Sequence, residues 1–83
     1  MASNGQRRPV ADLVAMLGRA LGQQLATDLV EEQRQLLGLP QDLDQQEAMA
    51  ILEALAVKPG IVGIAANFGK ARVILVWQEE RGG

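Results

Sequence analysis

Toward its end the chain carries two apolar runs, 61–66 and 71–77, separated by Asn67-Phe68-Gly69-Lys70. Within the second, Val73-Ile74-Leu75-Val76-Trp77 is apolar without interruption. Alternate residues of a strand point to opposite faces, so a strand of this sequence needs cover on both sides. The runs are short and partly β-branched, and Asn67-Phe68-Gly69-Lys70 has the makeup of a tight reversal. These features predict a C-terminal antiparallel β-hairpin. Two strands alone do not make a stable sheet, and an open edge of this kind invites association. The hairpin is therefore expected to be completed by dimerisation, either edge to edge as a four-stranded sheet or by stacking. The alternative is a monomer whose first helix folds back over the uncovered face.

The preceding residues read as helices. Pro9 suits a first helical turn, and Val10, Leu13, Val14, Leu17, Leu21, Leu25 and Leu29 recur at spacings of three and four. A helix from there to about Leu37 would be about 42 Å long at 1.5 Å per residue. Beside that stripe runs a ridge of small residues, Ala11, Ala15, Gly18, Gly22 and Ala26. It either lets a second helix approach closely or marks a break at Gly18–Gly22, since interior glycines weaken a helix. Gly38-Leu39-Pro40 ends the segment. Asp44 followed by Glu47 forms a candidate capping box, opening a short second helix with Ala48, Ile51, Leu52 and Leu55 on its buried face. Lys58-Pro59-Gly60 stops it.

The fold class so predicted is α+β: a long N-terminal helix, a short second helix and a C-terminal hairpin. Residues 1–8 form a disordered lead-in, 9–78 a single domain and 79–83 a flexible tail. The stretch from the second helix through Gly60-Ile61-Val62-Gly63-Ile64 to Lys70-Ala71-Arg72-Val73 resembles the helix–strand–strand half of ferredoxin-like domains. The resemblance covers under half the chain. It lacks that fold's first strand and its metal-carrying cysteine pair, and so implies no function. The Gly82-Gly83 end is similar to the tails of ubiquitin-like modifiers and sulfur carriers, but those folds open with a β-hairpin and this one opens with a helix.

Composition removes most chemistry. Among 83 residues there is no histidine, cysteine or tyrosine, which excludes imidazole acid–base catalysis, thiol chemistry and Cys/His metal sites. Disulfides are excluded with them. Eight Lys+Arg against ten Asp+Glu leave a charge of −2, the wrong balance for neutralising phosphate backbones. No segment approaches the ~20 apolar residues of a membrane span, and Asp12 interrupts any signal-type block. The carboxylates Asp28, Glu31 and Glu32, and Asp42, Asp44 and Glu47, suit caps and solvated faces better than cation sites. Gly60, Gly63 and Gly69 lack the strand–loop–helix setting of a phosphate loop.

The expected function is a non-catalytic, cytoplasmic, homodimerising assembly or adaptor module with no cofactor, metal, nucleic-acid or membrane partner. Its interface residues would be Ala15, Gly18, Gly22 and Ala26 on the first helix and Ile74, Val76 and Trp77 on the hairpin. An unidentified protein partner would meet the face bearing Gln23, Glu31, Glu32 and Gln35. The alternative is an effector-binding regulatory domain, holding a small anion near Asn67, Lys70 and Arg72.

Overall fold

The glycines and caps divide the chain into four helices in the computed structural model, which describes the backbone of residues 7–82 and the side chains of residues 7–76. These helices are α1 (Val10–Leu21), α2 (Gln23–Leu37), α3 (Gln45–Ala56) and α4 (Ile61–Gly82). The strands are minimal: β1 (Arg8–Pro9) pairs antiparallel with β2 (Asp42–Leu43), Arg8 opposite Leu43 and Pro9 opposite Asp42.

The predicted long helix is two helices. Gly22 stands at φ 89°, ψ 151°, a region that a side chain makes costly, and the chain turns there. The Gly22 N–H still donates to the Gly18 carbonyl at 2.9 Å, and the Ala26 N–H donates to Gly22 at 3.0 Å. The break also resets the buried stripe. Val10, Leu13, Val14 and Leu17 are buried on α1, whereas α2 buries Ala26 and Val30 and leaves Leu25 exposed. Pro9 lies one residue ahead of the helix, in β1.

Gly38 ends α2 in the left-handed conformation (φ 68°), its N–H donating to Gln35 and that of Leu39 to Arg34. The Arg34 guanidinium reinforces this end, donating to the Leu39 carbonyl at 2.9 Å and to Glu31 at 2.8 Å. Its hydrogen bond with Glu31 raises the Arg34 pKa above the ordinary value. At the start of α3, Asp44 and Glu47 form the expected capping box. Ala48, Ile51, Leu52 and Leu55 are buried behind it.

The C-terminal hairpin does not form. Residues 61–82 are one helix, and the likeness to a ferredoxin-like half falls with the hairpin. Two glycines account for how α4 seats itself. A Cβ at Gly63 would overlap the carbonyl oxygen of Lys58, and one at Gly69 would lie 3.2 Å from Leu52 Cδ2 and 3.5 Å from Leu17 Cδ2. With Ala65, Ala66 and Val73, also buried, they give α4 a narrow inward face that lies close against α1 and α3. Asn67 and Gly69, which suggest a reversal, sit on helix turns instead: the Asn67 side-chain amide donates to the Gly63 carbonyl at 3.0 Å. The core is entirely apolar among the described residues. The protein measures 39 × 24 × 20 Å.

Candidate functional site

A helix apolar all round belongs in an interior, and α4 is apolar on two sides while only one is covered. The opposite side carries Ile61, Ile64, Phe68 and Leu75, exposed by 58, 59, 70 and 63%, with exposed Ala71 between the last two. Steps of three and four residues place these five along one stripe, the a/d spacing of a helix–helix seam. At about 100° per residue, the stripe lies about 150° around the helix from the buried one. From Ile61 to Leu75 it runs about 21 Å at 1.5 Å per residue. Contiguous exposed apolar surface of this kind marks interaction sites in soluble proteins.

The structure disperses the residues singled out for an interface. Ala15 and Gly22 are exposed, Gly18 is half-buried and Ala26 is buried, so the ridge is not one continuous surface. A Cβ at Gly18 would face the Gln23 backbone of α2 at 3.7 Å; this small residue serves the α1–α2 corner. Ile74 and Val76 are exposed at 42 and 36%, but on a helix they fall beside the seam rather than along it. The Trp77 side chain lies outside the described residues.

The three candidate anion ligands are not brought together. Lys70 and Arg72 lie about 200° apart on α4 at 100° per residue, and Asn67 is engaged within the helix. On the acidic, glutamine-rich face, Gln23, Glu32 and Gln35 are exposed, while Glu31 is paired with Arg34. No cluster of three potential metal-ligating side chains occurs among the described residues. No helix among them is long and apolar enough to cross a membrane.

Reading the sequence by strand period missed a second feature. A groove of about 470 Å³ runs between α1 and α4, lined by Arg8, Asp12, Ala15, Met16 and Arg19 on one side and Arg72 and Val76 on the other. On α1, Ala15, Met16 and Arg19 follow Asp12 by three, four and seven residues, a spacing that signals one helix face, but the α4 side needed the correct period. Arg8 pairs with Asp12 at 3.4 Å.

Comparison with protein-family models, with curated proteins and with solved structures finds no match for this chain.

Proposed function

We propose that this chain is a non-catalytic homodimerising interaction module whose two copies pair through the outward face of α4. The observation that carries this reading is the stripe Ile61, Ile64, Phe68, Ala71 and Leu75. It is apolar, exposed and spaced for a partner helix. Full burial of one large apolar side chain is worth about 1.5–3 kcal/mol, so covering these residues on two copies offers on the order of 10 kcal/mol before the cost of association. The face suits a copy of itself: antiparallel pairing about a two-fold axis is self-complementary and opposes the helix dipoles favourably. A lipid surface fits less well, because an interfacial helix sets a basic face opposite its apolar one, and the opposite face of α4 is buried in protein.

Mass measured by sedimentation equilibrium over a concentration series tests the reading. A dimer is expected, and Ile64→Ser with Phe68→Ser should return it to a single copy with unchanged helical circular dichroism. A single copy of the unaltered chain throughout the series, or a dimer indifferent to both substitutions, would overturn it. So would a monomer that co-sediments with anionic vesicles.

A further inference from the structure

We infer that the groove between α1 and α4 binds an organic anion: a phosphate or carboxylate head on a short apolar tail. Two features of the groove carry this. Arg19 from α1 and Arg72 from α4 line it together, and neither has an ion-pair partner among the described residues. This concentrates positive charge in a chain whose overall charge is −2. The remainder of the lining is apolar where Met16 and Val76 approach, so the groove offers a head-group end and a hydrocarbon floor side by side. Arg8 and Asp12 already hold one another, and Asp12 repels a second anion from that end. The head therefore belongs between Arg19 and Arg72, where the planar guanidinium fork matches a phosphate or carboxylate in bidentate fashion. Met16 adapts to tails of differing shape because its side chain is unbranched and flexible. On α4 the groove borders the apolar seam, since Arg72 lies four residues after Phe68 and three before Leu75.

Calorimetric titration with hexyl phosphate tests the inference on the full chain. Saturable binding is expected, weakened at least tenfold by Arg19→Gln and by Arg72→Gln and unchanged by Glu32→Gln on the exposed side of α2. Hexanol should not bind detectably, and inorganic phosphate should bind more weakly than hexyl phosphate. No saturable binding by hexyl phosphate would overturn the inference, as would binding indifferent to both arginine substitutions. Binding lost in Phe68→Ser but kept in Arg19→Gln would place the molecule on the seam and overturn it as well. Inorganic phosphate binding as tightly as hexyl phosphate would remove the role of the apolar floor. Because Arg19 lies on α1, its substitution tests the groove whether or not the chain dimerises through α4.

Discussion

Asp44 and Glu47 each accept a hydrogen bond from the other's backbone: the Asp44 carboxylate from the Glu47 N–H at 2.8 Å, and the Glu47 carboxylate from the Asp44 N–H at 3.0 Å. Arg7 joins them from the other end of the chain, donating to Glu47 Oε1 at 2.9 Å and to the Asp42 carbonyl at 2.8 Å. One carboxylate thus starts α3 and also holds the segment that leads into α1. Asp44→Ala is expected to cost about 1 kcal/mol, the usual worth of a cap. For a domain of this size that corresponds to a fall of roughly 4–8 °C in melting temperature. Thermal denaturation followed by circular dichroism checks it, and an unchanged midpoint would refute the cap's contribution.

Val73 and Leu75 separate helix from strand with a pair of substitutions. On a strand they would share a face; on α4 they lie about 200° apart. Val73 is fully buried and Leu75 is 63% exposed. Val73→Ala should cost about 2 kcal/mol at 0.8 kcal/mol per methylene plus the cavity left behind. Leu75→Ala should leave the stability of a single copy nearly unchanged. Urea denaturation at low protein concentration measures both, and equal costs would argue for the strand.

Gly63 and Gly69 both lie on the inward face of α4, yet alanine should affect them differently. At Gly63 the added methyl meets the Lys58 carbonyl oxygen and comes within 3.0 Å of the Ala56 carbonyl oxygen. Backbone cannot yield without shifting the α3–α4 turn, so Gly63→Ala should cost at least the roughly 1–3 kcal/mol of an overpacked core. At Gly69 the nearest atoms are ends of the Leu52, Leu17 and Met16 side chains, which can move a few tenths of an ångström. Gly69→Ala should be the milder of the two in a denaturation series. The reverse order would contradict this seating of α4.

Gly22 is a case of backbone conformation alone. A Cβ there would have open space around it, but φ is 89°. Gly22→Ala should therefore destabilise by roughly 1 kcal/mol through strain and leave the core side chains unperturbed. Nuclear magnetic resonance shifts of the Leu17 and Val30 methyl groups, read beside the melting temperature, distinguish this from a repacked core.

The amino-acid order alone determined the punctuation of this protein. Gly38, the Asp44/Glu47 box and Lys58-Pro59-Gly60 act through neighbours a few residues away, and so does the amphipathic pattern that buries Ile51, Leu52 and Leu55. Local chemistry of this kind is legible before any folding partner is known. The break at Gly22 was legible only as one of two options, because a glycine weakens a helix without dictating where the next segment goes. Residues 61–77 read as a hairpin at that level and were read wrongly, because each short apolar run rich in Ile and Val satisfies a strand or a buried helix equally well. What decided for the helix was the surface presented by α1 and α3. Against it, Gly63, Ala66, Gly69 and Val73 recur at steps of three and four, and their small side chains let the backbone come close. The same winding turns Ile61, Ile64, Phe68 and Leu75 outward and sets Arg72 across from Arg19. Both the seam and the groove are therefore products of tertiary packing, since their members become neighbours only after α4 has chosen its period.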